Sequence, residues 1–110
     1  NQGLVNNREL LDRELINLFT ARQSTVDEAN RGYGWDRPDR DGTSSAGDYF
    51  SDKAFGHLGY TGTSFWIDPE QQLIVILLTN RVHPTREKQG IKQVRRKFHN
   101  TVVKSILNFN

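Results

Sequence analysis

Phe55-Gly56-His57-Leu58-Gly59-Tyr60-Thr61-Gly62-Thr63-Ser64-Phe65-Trp66-Ile67-Asp68-Pro69 is the stretch from which the architecture of this chain can be read. Glycines at 56, 59 and 62 alternate with a histidine, a tyrosine and hydroxyl residues, and the segment then enters Phe65, Trp66 and Ile67, types that favour a pleated strand. Glycine inside a strand weakens it through entropy and lost packing, so its repetition marks a bulge, a bend or a ligand lying against the backbone. Two readings follow. The segment is a strand whose first half walls a site, or a glycine-rich turn leading into an ordinary strand.

Downstream, Asp68-Pro69-Glu70-Gln71-Gln72 has the composition of a tight turn, with Pro69 suited to its second position. Leu73-Ile74-Val75-Ile76-Leu77-Leu78 follows at once, β-branched and apolar on both faces, which predicts a strand covered on both sides. Strands near 57–68 and 73–80 therefore form an antiparallel hairpin in this reading. Pro84 stops the second strand, and Ile91, Val94, Phe98, Val102 and Ile106 then share one face of a helix over 90–107, the natural cover for one sheet face.

Upstream, Asn6 with Glu9 three residues later has the form of a helix cap. Leu11, Leu15, Leu18 and Phe19 recur at helical spacing, so an amphipathic helix is expected over 8–21. Residues 22–31 read as a connection, and Gly32-Tyr33-Gly34-Trp35-Asp36 as a first strand near 32–36. Residues 37–53 carry turn chemistry throughout and predict a long surface loop, anchored at its far end by Tyr49 and Phe50. The fold class is α+β: an antiparallel sheet of about three strands packed with an amino-terminal and a carboxy-terminal helix.

Composition bounds the function. At 110 residues the chain is one domain or a piece of one, and 35% hydrophobic content with a mean hydropathy of −0.71 leaves it a small core or a partner that covers part of its surface. Without cysteine there is no disulfide, no thiolate nucleophile and no cysteine metal site. The longest apolar run, Leu73 to Leu78, is too short to span a bilayer. The amino end has no signal-peptide pattern and begins with Asn1 rather than Met, as expected of a trimmed segment. Charge is uneven, net +7 after residue 80 and −5 before it. A basic helix can bind nucleic acid, but no aromatic residue is interleaved with these charges for base stacking, so a solvated face is expected and no nucleic-acid partner.

Phe55 to Thr63, followed by Trp66-Ile67-Asp68-Pro69 and Leu73 to Arg81, resembles the carboxy-terminal part of the serine β-lactamase and penicillin-binding-protein-like family, most of all its class C-type branch with esterases and D-aminopeptidases. Tyr33-Gly34-Trp35 is similar to the strand that precedes the family's third motif, and the resemblance extends over about residues 4–108. It implies a β-lactamase/transpeptidase-like fold and acyl-enzyme chemistry on an amide, ester or β-lactam bond, with no cofactor and no metal. His57-Leu58-Gly59 matches the His-x-Gly form of the third motif. By that match His57 faces the cleft and positions substrate or shuttles a proton. Gly59 lets substrate lie against the strand, the backbone N–H of Tyr60 is an oxyanion-hole donor, and Thr61 continues the substrate-binding strand with Gly62 and Thr63. The plain alternative for His57 is a histidine hydrogen-bonded at a strand end. His83 and His99 receive no role.

Two family motifs are missing. Ser24, Ser44, Ser45, Ser51, Ser64 and Ser105 are followed three positions on by Asp27, Gly47, Asp48, Ala54, Ile67 and Asn108, never by lysine, so Ser-x-x-Lys does not occur. No tyrosine stands two before an asparagine, so Tyr-x-Asn is absent too. An oxyanion donor without a nucleophile does not form an acyl-enzyme. Residues 1–110 are therefore expected to be a single carboxy-terminal fragment of a longer hydrolase, inactive alone, whose partners are the remaining amino-terminal part, a small-molecule or peptide-like substrate, and a second copy over the exposed sheet. A non-catalytic module that keeps the fold as a binding surface is the alternative, and a basic nucleic-acid module a third. The resemblance implies an extracytoplasmic location, periplasmic or cell-envelope.

Overall fold

A computed structural model describes residues 2–25 and 30–107. A small hairpin of β1 (Leu4–Val5) and β2 (Arg8–Glu9) leads into α1 (Arg13–Thr20). After a long irregular stretch come β3 (Phe55–Leu58), β4 (Ser64–Asp68) and β5 (Leu73–Leu77), and α2 (Ile91–Leu107) ends the described chain. The three later strands form one antiparallel sheet in the order β3-β4-β5. The fold is α+β, as the sequence implies.

Register decides which side chains meet. Gly56 lies opposite Trp66 and Leu58 opposite Ser64, while Ser64, Trp66 and Asp68 lie opposite Leu77, Val75 and Leu73. Because alternate residues share a face, these residues form the inner face, under α2. α2 buries Arg95, His99 and Val103, one stripe at a spacing of four, and so turns a neighbouring face to the sheet from the expected one: Phe98 and Val102 are partly buried, while Val94 and Ile106 are 49% and 54% exposed. Trp66 fills the centre, 6.2 Å from the Phe50 ring. A Cβ at position 56 would overlap the Phe65 carbonyl and come within 2.7 Å of the indole, so glycine here is what admits Trp66.

Several expectations are corrected. The first helix begins at Arg13, not residue 8, because Asp12 is its cap and accepts from Leu15 N at 3.0 Å. Asn6 and Asn7 instead take φ of 50° and 62° in the turn of the β1-β2 hairpin, a conformation asparagine tolerates well. α1 buries none of its residues, and its apolar stripe, Leu15, Leu18 and Phe19, stays about half exposed. No strand forms at 32–36. Gly34 turns at φ 74°, and only Asp36 joins the sheet, exchanging two backbone hydrogen bonds with Gly56 at 2.8 and 2.9 Å. The predicted strand 57–68 is two strands joined by a turn, and β5 ends at Leu77 rather than 80. Its outward residues Ile74 and Ile76 are 62% and 59% exposed, so this strand is covered on one face only. Of the predicted connection 22–31, residues 26–29 lie outside the described residues.

The loop 37–53 is more than surface. Ala46 and Phe50, with Ala54 just beyond, supply half the buried apolar core. Asp68 holds this loop to the sheet. Its carboxylate has no exposed surface and accepts from Ser51 N (2.6 Å), Ser51 Oγ (2.7 Å), Glu70 N (3.1 Å) and Gln71 N (3.0 Å). One side chain thus closes the β4-β5 turn and pins the loop. On α2, Arg96 and Asn100 grip Asp48 at 2.7 to 2.8 Å, so part of the basic helix is engaged internally.

His99 is fully buried, with Nε2 3.1 Å from Ser64 Oγ. Burial first, then the nearby Arg95 guanidinium, lower its pKa to about 4 from an ordinary 6.5. The unfolded chain therefore binds the extra proton first as pH falls. The stability that rests on neutral His99 is fully present above about pH 6.5 and is lost progressively toward pH 4. Thermal midpoints across that window should fall steadily with acid, and His99→Gln should flatten the slope. Asp68→Ala, which strands four donors, is expected to lower the unfolding free energy by about 3 kcal/mol or more in urea titrations.

Candidate active site

β3 carries His57 into a five-residue turn, Gly59 to Thr63, whose ends are closed by Gly59 N donating to Thr63 O at 2.8 Å. Every carbonyl oxygen of that turn is taken. Gly59 O and Thr63 O both accept from Nη2 of Arg95 at 2.7 Å, and Gly59 O also accepts from Gly62 N at 3.1 Å. Tyr60 O accepts from Arg81 Nε and Thr61 O from Arg81 N, each at 2.8 Å, and Gly62 O from Thr79 Oγ1 at 2.7 Å. The donors come from α2 and from the chain just after β5, so the turn is tied to both of its neighbours.

The glycines have local reasons. Gly62 sits at φ 113°, and a Cβ there would overlap Thr79 Oγ1 and lie 3.1 Å from Arg81 N. A Cβ at Gly59 would overlap Thr63 Oγ1, so space beside Gly59 is occupied from within the turn. Thr61, Gly62 and Thr63 do not continue the strand, a correction that follows from the left-handed backbone at Gly62.

His57 is exposed on the outer face, opposite Phe65, and its Nδ1 is 3.0 Å from Leu58 O. That contact requires the proton on Nδ1, which leaves Nε2 of the neutral ring as an acceptor. Beside it, His57, Gly59, Thr63, Phe65, Ile76 and Leu78 line an open recess of about 330 Å3. A second recess of about 360 Å3 lies between the 30–45 segment, Leu58, Trp66 and Lys92, and includes neither His57 nor Tyr60. Among the described residues the Tyr60 N–H donates to no acceptor.

The charge behind the turn is positive. Arg81 stacks 4.6 Å above the Tyr60 ring, and neither it nor the buried Arg95 is paired with a carboxylate among the described residues. Burial, then Arg81, lower the pKa of Arg95. Sequence reasoning brought His57, Gly59, Tyr60 and Thr61 to one place, but missed Arg95, Arg81 and Thr79. By sequence Arg95 belongs to a basic, solvated helix face, and only its place on the stripe of His99 and Val103 signals burial. No cluster of three or more His, Asp or Glu able to hold a metal occurs among the described residues, nor a helix long and apolar enough to cross a membrane.

A model of the family described as Beta-lactamase matches residues 2–99, and the chain belongs to that family, which groups with serine β-lactamases and penicillin-binding-protein-like hydrolases. It is 38% identical over 87 residues to an N-acetylmuramyl-L-alanine amidase of Bacillus subtilis (strain 168), covering 76% of this chain and 19% of that protein. A putative D-alanyl-D-alanine carboxypeptidase of Escherichia coli K12 is 32% identical over 85 residues, with the same 76% and 19%. An uncharacterised protein of Alkalihalophilus pseudofirmus is 30% identical over 114 residues, covering 97% of this chain and 33% of that protein. The chain thus spans between a fifth and a third of the length of these relatives. No solved structure gives a significant match.

Because the turn depends on a positive φ and on a close approach by Thr79, Gly62→Ala is expected to cost more than about 1 kcal/mol of stability in chemical denaturation. Its amide resonances for residues 59–63 should shift while those of α1 do not.

Proposed function

We propose that this chain is the carboxy-terminal portion of a serine hydrolase that cleaves an amide, ester or β-lactam bond through an acyl-enzyme. It supplies the His57-Leu58-Gly59 segment at the end of β3 and the Tyr60 N–H but not the nucleophile. The observation that carries this reading is the turn: its carbonyls are all held, and the Tyr60 N–H, next in the chain to Gly59 at the recess beside His57, donates to no acceptor among the described residues. Such a donor, preorganised for a developing oxyanion, lowers a barrier because it need not reorient during reaction. The two unpaired guanidinium groups behind it add a field of the right sign.

His57 in this reading takes or returns a proton through Nε2, or orients substrate, at the wall of the recess. Gly59 and Thr61 border the substrate path. The printed names of the relatives, an amidase and a carboxypeptidase, favour an amide bond of a muramyl peptide or peptide-like substrate over an ester. They also favour an extracytoplasmic site of action. The rest of the parent hydrolase covers the outer face, where Ile74, Ile76 and Leu78 are 59% to 78% exposed, and a second copy covers it where the chain is alone. The non-catalytic alternative rests on the missing Ser-x-x-Lys alone.

The test is labelling of the full gene product with a fluorophosphonate. A serine outside these 110 residues should be modified, and His57→Ala should slow its acylation by roughly 10²-fold or more, the contribution typical of a proton-transfer group. A gene product in which no serine reacts would leave the fold as a binding surface.

A further inference from the structure

Arg95 is an odd occupant of its position. It is 6% exposed on the buried stripe of α2, its Nε has no partner, and both hydrogens of one terminal nitrogen, Nη2, go to the carbonyls that close the 59–63 turn. A buried guanidinium without a carboxylate is costly, and both carbonyls already accept a backbone hydrogen bond, Gly59 O from Gly62 N and Thr63 O from Gly59 N. The gain lies in direction. Gly59 C=O and Tyr60 N–H belong to one planar trans peptide, so fixing the oxygen toward α2 fixes the hydrogen away from it. The second bond, to Thr63 O, stops the turn from rocking about its own closing hydrogen bond.

We infer that Arg95 is a positioning residue for acyl transfer: through Gly59 O and Thr63 O it aims the Tyr60 N–H at the reacting carbonyl oxygen, without touching substrate itself. This rests on the reading of that N–H as an oxyanion donor. Arg81 holds the next two carbonyls and sets the far side of the turn, but the peptide that carries the donor is held by Arg95.

The experiment uses the full gene product with nitrophenyl acetate and its thionoester, whose sulfur is a poor acceptor for an oxyanion-hole donor. Removing such a donor outright costs roughly 10²–10³ in kcat, so mis-aiming it in Arg95→Met should lower ester kcat by about tenfold or more with KM changed less than about twofold. The loss should be several-fold smaller on the thionoester. A variant that is merely less folded loses both substrates in equal proportion, which would overturn the inference. So would an Arg95→Met enzyme with unchanged ester kcat. Arg95→Lys keeps the charge but not the planar fork, and should fall between. If Arg95→Met does not fold, the ester-to-thionoester ratio of Arg95→Lys carries the same decision. A wild-type gene product that turns over neither substrate would remove the hydrolase reading, and the positioning role with it, an outcome told apart by the wild type alone.

Discussion

Five consecutive carbonyl oxygens, from Gly59 to Thr63, each accept a hydrogen bond from a donor behind the turn or across it. A turn with unheld carbonyls flips its peptides readily, and a backbone donor on it would point in no fixed direction. Here Arg95 reaches in from α2, Arg81 and Thr79 from the chain that follows β5, and the turn inherits the rigidity of both. The rest of the molecule is arranged so that those donors arrive. β4 and β5 must be in register to bring Thr79 beneath Gly62, and α2 must lie on the inner face for Arg95 to reach Gly59.

That second requirement is met by burial and polar satisfaction together. Trp66, Val75, Phe50 and Val103 bury the apolar surface that seats α2, and the gap opposite Trp66 exists because residue 56 has no Cβ. Asp68 and Asp48 act at the loop. The first ties Ser51 to the β4-β5 turn, and the second is gripped by Arg96 and Asn100 of α2, so the irregular 37–53 segment becomes a wall of the core. Only the inner face is finished in this way. The outer face keeps exposed isoleucines beside His57, and α1 offers a stripe of leucines that meets no core.

Much of this was legible in the residues. The β-branched run at 73–77, the Asp68-Pro69 turn and the helical recurrence from Ile91 to Ile106 gave hairpin and helix within a few residues, but the recurrence misplaced the buried face of the helix, which centres on Arg95, His99 and Val103 and leaves Val94 and Ile106 about half exposed. The glycine stretch was harder. Spacing alone could not say that Gly62 takes φ 113° and breaks one strand into two, nor that Gly59 and Gly56 answer to Thr63 and Trp66. Asn6 suits a cap and a left-handed turn equally, and it takes the turn of the β1-β2 hairpin while Asp12 caps the helix six residues on. Tyr33 and Trp35 favoured a strand, but Gly34 and the Asp36–Gly56 bridge made a bend. Of the site, His57, Gly59, Tyr60 and Thr61 came from a motif. Arg95 did not, since a basic residue on a basic helix looks solvated until the stripe it sits on is known to be buried, and neither did Arg81, which lies in the irregular chain after β5 where no periodicity marks it.

If the 59–63 turn serves acyl transfer, a bound oxyanion must meet Tyr60 N. A crystal structure of the full gene product with a boronic acid on the serine that a fluorophosphonate labels measures this directly. One boronate oxygen is expected about 2.7–3.1 Å from Tyr60 N, with Arg95 Nη2 still on Gly59 O and Thr63 O. A boronate held elsewhere, with Tyr60 N–H turned toward a protein acceptor, would contradict it.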